Sequence, residues 1–208
     1  MTLLLLPFRR NAQNTMSKTS RLIVISAALL LSLTYFLPLW QIALDAPQYP
    51  EGLGMYIWIN KMTGQNKHDL DKINNLNHYI GMKEIKPESI PELKYMPWIM
   101  RVLLIFGLAA GLVGNKKLLL IWLILFLLLS LAGLVDYYLW GYDYGHNLDE
   151  ENAIIKIPGM SYQPPLIGQR KILNFTATSL PASGGWVAIV SILAGAYVYL
   201  KERTRKQK

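Results

Sequence analysis

Leu118-Leu-Leu-Ile-Trp-Leu-Ile-Leu-Phe-Leu-Leu-Leu-Ser-Leu-Ala-Gly-Leu-Val135 decides the fold class. A helix on the surface of a soluble protein keeps a polar stripe, and this run offers only Ser130. About 17–25 residues of this kind cross a bilayer as a helix. Working outward, three further apolar stretches flank it: Leu22–Trp40, Trp98–Gly114 and Trp186–Leu200. The last is short as drawn and needs a few flanking residues to span. Four spans in 208 residues leave room for one membrane domain, 22–200, with two long connections at 41–97 and 136–183.

Lysine and arginine orient these spans. Arg9, Arg10, Lys18 and Arg21 precede the first; Lys116 and Lys117 form the turn between the second and third. Lys201, Arg203, Arg205, Lys206 and Lys208 follow the fourth, in a basic tail at 201–208. These three regions hold one acid, Glu202, while the long connections carry nearly balanced charge. The positive-inside rule places both termini and the Lys116 turn in the cytoplasm and both connections outside. The net charge of +8 is therefore a topology signal. It does not indicate nucleic-acid binding, because the basic residues sit beside the membrane and belong to no folded basic domain. Trp40, Trp98, Trp140 and Trp186, with Tyr137 and Tyr138, lie at the outward ends and read as an interfacial aromatic belt.

The remaining N-terminal signals are weaker. Residues 1–21 read as a cytoplasmic segment, and Met16 reads as an alternative start that would make 1–15 a start-site artefact. The first span is long, and Leu44-Asp-Ala-Pro47 is a poor cleavage site, so the span reads as a retained anchor. The absence of cysteine excludes disulfides and thiolate metal sites. No Walker A loop, dinucleotide-binding glycine fingerprint, nucleophile elbow or HExxH is present, so no catalytic role is expected.

In the first connection, Pro47, Pro50, Gly52 and Gly54 favour extended chain, and Met55–Met62 alternates as a short strand. Asp69 can cap a helix running to about Met82, with Gly81 set to fray or end it. The second connection opens on the aromatic cluster Tyr137, Tyr138, Trp140, Tyr142 and Tyr144. Ile154–Gly168 is rich in proline and glycine and reads as extended. Asp69/Asp71 and Asp149–Glu151 read as solvated caps and turns. The expectation is an all-α membrane protein with four transmembrane helices, both ends inside, whose outward connections pack together as a small cap.

Two site hypotheses follow from chemistry. Where thiols are lacking, copper(I) takes thioether and imidazole ligands. His78 and Met82 have i,i+4 spacing, and His146 and Met160 would close the set from the other connection. The competing reading is that methionines fill apolar gaps and histidines pack or hydrogen-bond. Second, Arg101 and Asp136 lie at the outward ends of adjacent spans, where an intramembrane charge pair would frame a proton or quinol headgroup site. Simple snorkelling to the headgroups is the alternative.

Four strings carry a resemblance: Asp45-Ala-Pro-Gln-Tyr-Pro-Glu-Gly-Leu53, Ile73-Asn-Asn-Leu-Asn-His-Tyr-Ile-Gly-Met82, Gly145-His-Asn-Leu-Asp149 and Pro158-Gly-Met-Ser-Tyr-Gln-Pro-Pro-Leu-Ile-Gly168. From about residue 20 onward the chain resembles small bacterial inner-membrane proteins associated with clade II nitrous oxide reductase gene clusters. The resemblance implies a multi-pass protein accessory to an extracytoplasmic copper enzyme, in copper delivery, assembly or electron supply. It brings no catalytic residues and does not itself imply copper binding. The alternatives are a quinol-interacting or electron-transfer subunit, and a non-catalytic anchor for a protein partner.

Overall fold

The computed structural model describes residues 14–205. The Leu118–Val135 run lies in α4 (Lys116–His146), and the helix continues eleven residues past it. At 1.5 Å per residue α4 is about 46 Å long, more than the ~30 Å hydrocarbon core of a bilayer. Three more helices are long and apolar enough to cross a membrane: α1 (Lys18–Leu30) with its 3-10 continuation to Tyr35, α3 (Glu92–Val113) and α5 (Ser183–Thr204). They run up and down in a four-helix bundle. α1 packs on α3 and α5, and α4 packs on the same two from the opposite corner. Val102, Ile105, Leu128, Leu131, Val135 and Leu193 point away from the bundle and are more than half exposed or nearly so. An apolar belt of this extent is the surface a bilayer covers.

Inside the bundle Trp122 is fully buried, and its indole N–H donates to the Leu103 carbonyl at 2.9 Å. Gly107 of α3 and Gly195 of α5 leave it room. A Cβ on either would stand 2.8 and 2.7 Å from the indole ring. Small residues are what let membrane helices approach this closely.

The basic end is tied by polar contacts. Gly114, left-handed at φ 71°, ends α3, and the Asn115 side chain caps α4 by accepting from Lys117 N at 2.8 Å. Arg21 donates to the terminal carbonyls of α3 at Gly111 and Leu112. Glu202, 1% exposed, accepts from Ser17 N and Ser20 Oγ and lies 3.5 Å from Lys116 Nζ. The lone acid of the basic regions thus joins the start of α1, the α3–α4 turn and the end of α5. Of the segment assigned to 1–15, only residues 14 and 15 are described; Thr15 bridges to Asn115.

The other end corrects the all-α expectation. Both connections contribute strands to one five-stranded antiparallel sheet, ordered β3-β2-β1-β5-β4. The strands are β1 (Trp40–Ala46), β2 (Tyr49–Ile57), β3 (Met62–Gly64), β4 (Gly168–Ile172) and β5 (Phe175–Pro181). The protein is therefore mixed α and β. The first span ends at Tyr35, and Trp40 opens β1. The β1–β5 pairing, from Trp40↔Pro181 to Asp45↔Thr176, joins the two connections into one cap. Trp40, Ile42, Leu44 and Ala46 alternate with Gln41, Ala43 and Asp45, the period-two pattern of a sheet with one covered face. That face is covered by α2 (Asp69–Tyr79) and by the last three turns of α4. Tyr137, Trp140 and Tyr144 of α4 recur at helical spacing and pack into the sheet core.

Candidate functional site

An apolar cavity of about 380 Å³ lies between the sheet and its two covering helices. Its walls follow from the alternation just described. β1 contributes Ile42 and Leu44, β2 contributes Met55, and β5 contributes Phe175 and Ala177. α2 faces it with Ile73, Leu76 and Asn77. α4 supplies Trp140 and Tyr144 as the floor nearest the bundle, and Tyr162 and Pro164 close the side from the extended second connection. The size falls within the ~300–1,000 Å³ of small-molecule pockets, and mostly apolar walls with a few polar groups are their usual composition.

The exposed lining residues mark the mouth. Gln48, Tyr79, Ile155, Leu173 and Asn174 line the cavity and are all exposed. They belong to the β1–β2 turn, the end of α2, the strap at 154–157 and the β4–β5 turn. Both strand turns lie at the ends of β1 and β5 farthest from the bundle, so the mouth opens away from the helices. The strap is held there by Ile154 N and Ile155 N, which both donate to the Tyr79 carbonyl. Ile154 and Ile157, 64% and 41% exposed, extend the apolar surface around the opening.

Two polar atoms of the lining have no partner. The Trp140 indole N–H and the Tyr162 hydroxyl are buried, and neither meets a partner at full hydrogen-bond geometry among the described residues, although the Tyr144 hydroxyl lies close to the indole. An unsatisfied buried polar group costs about 1–3 kcal/mol, which makes each a marker of unfilled recognition. Burial also pushes the Tyr162 phenol above its ordinary pKa, so it stays a neutral O–H at physiological pH. Trp40 and Tyr137 differ: both reach Ser179 Oγ, at 2.8 and 2.9 Å.

The cap is closed around this space by one buried carboxylate. Asp69, 1% exposed, accepts through Oδ2 from Gly54 N, Asn66 N and Asn66 Nδ2 at 3.0–3.2 Å. It was expected to be a solvated cap and is instead a staple between β2 and the start of α2. Asp71 and Asp149 are exposed, as expected of caps and turns. Asp149 accepts from Asn152 N and Nδ2, and these bonds hold its carboxyl below the ordinary range.

The residues proposed for copper are distributed unevenly. Met82 and Met160 belong to one apolar cluster with Ile80, Tyr162 and Phe175, and Met82 lines the cavity. His78 and His146 are exposed. His146 stacks on Tyr142 at 4.0 Å, with Nδ1 3.0 Å from the Tyr142 carbonyl oxygen. Nor do His78 and Met82 share a helix face. α2 ends at Tyr79, Gly81 takes φ +75°, and Met82 N turns back to the Asn77 carbonyl. Among the described residues no group of three His, Cys, Asp or Glu side chains is arranged to hold a metal ion. The charge pair is not formed either. The Arg101 guanidinium stacks on the Trp98 ring at 4.4 Å, and no ion pair among the described residues joins it to Asp136. Both side chains are exposed at the outer surface of the bundle. Sequence reasoning missed the cavity. The spacing of Tyr137, Trp140 and Tyr144 was its readable signal, since a membrane belt does not require one inward helix face. No protein-family profile matches this chain, and no curated protein matches its sequence.

Proposed function

We propose that this chain is a non-catalytic, multi-pass accessory protein of a bacterial inner membrane, serving an extracytoplasmic copper enzyme of the nitrous oxide reductase type. Its termini lie in the cytoplasm and its cap lies outside. Within such a system its role is to hold an apolar ligand that takes part in electron supply, in the manner of a quinol-interacting subunit. The cavity carries this reading: an apolar space of about 380 Å³ lined by aromatic and aliphatic side chains. Metal delivery has less support. The cavity offers two thioethers, Met55 and Met82, and no imidazole, while His78 and His146 face solvent. The apolar collar of Tyr79, Ile154, Ile155 and Leu173 around the mouth also suits contact with a protein partner.

The test compares cells carrying the intact protein, no protein, or the cavity-filling variant Leu76→Trp. Nitrous oxide reduction is driven by the cell's own quinol pool and, separately, by reduced viologen. The electron-supply role predicts that loss or filling removes quinol-driven turnover while viologen-driven turnover and enzyme copper content stay normal. Copper-depleted enzyme in the deletion would favour metal delivery. Full quinol-driven turnover in the deletion would overturn the proposal.

A further inference from the structure

The chemistry of the two unpartnered atoms narrows what the cavity holds. Indole N–H is a donor only, so Trp140 can be satisfied only by an acceptor. Among the described residues no acceptor meets it at hydrogen-bond geometry; the rings packed beside it are Tyr137, whose hydroxyl is engaged with Ser179 Oγ, and Tyr144. The Tyr144 hydroxyl donates to the Glu84 carbonyl at 3.2 Å, and its oxygen, which can still accept, lies close to the indole N–H without completing a hydrogen bond of good geometry. Tyr162 is 3% exposed, and its hydroxyl is likewise unpartnered. The raised pKa of that phenol keeps its proton in place, so both atoms are donors across the physiological range. The six aromatic side chains of the lining, Tyr49, Tyr79, Trp140, Tyr144, Tyr162 and Phe175, favour a planar ring, which they contact by stacked or edge-to-face packing. Among the described residues no cationic side chain lines the cavity, so none of them would neutralise an anion there.

We infer that the cavity binds a neutral quinoid or aromatic ring bearing a carbonyl oxygen, which accepts from the Trp140 indole N–H and the Tyr162 hydroxyl. This rests on the cavity being a ligand site and adds which atoms read the ligand and what they require of it. The ring lies among the aromatic walls near the floor, and any substituent points along the opening toward Gln48 and Asn174. Trp140 stands 24 residues along α4 from Lys116, a rise of about 36 Å. That places the floor near headgroup depth if Lys116 marks the opposite membrane surface.

The full chain in lipid nanodiscs, with empty nanodiscs as reference, is titrated by equilibrium dialysis with three probes. They are 1,4-naphthoquinone, naphthalene and monoolein. Naphthoquinone has ring carbonyls, naphthalene has the ring without an acceptor, and monoolein has an ester carbonyl on an acyl chain. Tyr162→Phe and Trp140→Phe should each weaken naphthoquinone at least fivefold and change naphthalene less than twofold. Leu76→Trp should abolish binding of both ring probes. The naphthoquinone affinity of the intact protein should be flat from pH 6 to pH 9. Naphthoquinone binding indifferent to both phenylalanine variants would overturn the assignment of the two donors while leaving the cavity a ligand site. Failure of all three probes to bind would overturn the cavity reading as well. Tighter, donor-dependent binding of monoolein than of naphthoquinone would assign the carbonyl to a lipid and overturn the ring.

Discussion

Replacing Asp69 by alanine should open the cap without touching the bundle. Its Oδ2 is the acceptor for Gly54 N at 3.2 Å, Asn66 N at 3.0 Å and Asn66 Nδ2 at 3.0 Å. Gly54 sits mid-strand in β2, opposite Ala43 of β1, so the carboxylate holds the α2 entrance against the sheet. The Asn66 side chain is exposed, and water can replace its bond. The two backbone donors are the ones that matter. Hydrogen bonds to a charged group contribute about 1.5–3 kcal/mol each, so their loss should destabilise the cap by about 3–6 kcal/mol. At 1.4 kcal/mol per factor of ten, local opening rises roughly a hundred- to ten-thousand-fold. Amide hydrogen exchange in detergent or nanodiscs reads this directly, residue range by residue range. Exchange should accelerate across 49–57 and 62–79 and stay unchanged in α1, α3 and α5. Asp69→Asn keeps one acceptor oxygen without the charge and should fall between. Exchange in the cap unchanged within twofold in Asp69→Ala would show that the carboxylate does not staple β2 to α2.

Gly195→Ala puts a Cβ 2.7 Å from the Trp122 ring; this overpacking should cost about 1–3 kcal/mol in thermal unfolding, and Trp122→Phe in the same chain should recover part of it. Arg21→Leu removes the donors to the Gly111 and Leu112 carbonyls at the end of α3 and should cost about 1–2 kcal/mol by the same measurement. Single cysteines at Asn66 and Asn152 should react in intact cells with a membrane-impermeant thiol reagent, and one at Arg205 should not; the reverse pattern would refute the orientation. His78→Ala should leave any copper(I) affinity within twofold of the intact protein, because His78 faces solvent and Met82 lies past the end of α2; a tenfold loss in a competition titration would restore the metal reading.

Local composition was enough to reveal the spans because a helix in a bilayer satisfies its own backbone and needs no partner to be recognised. The same is true of the charge asymmetry between the two ends. Extended chain through Pro47–Gly54 and a helix starting at Asp69 were readable too. The β4–β5 hairpin was not, since its turn, Leu173-Asn174, lacks the glycine that usually marks one, and Leu173 carries φ 55° itself. Asp69 looked like a solvated cap because its three donors lie on β2 and on the turn before the helix. The His78/Met82 spacing misled because an i,i+4 relation holds only while the helix continues, and α2 stops at Tyr79.

The sequence by itself determined four helices long and apolar enough to cross a membrane, with basic residues gathered at one set of ends, since transfer of side chains from water is a local property. The tertiary structure decided that the two connections form one sheet. Strand pairing is a long-range agreement: β1 finds β5 more than a hundred residues away, and neither strand's hydrogen-bonding groups name their partner. Once that sheet formed, one face had to be covered, and the end of α4 and the whole of α2 covered it incompletely. The cavity with its two unpartnered donors is the space those helices leave, and no stretch of the chain contains it.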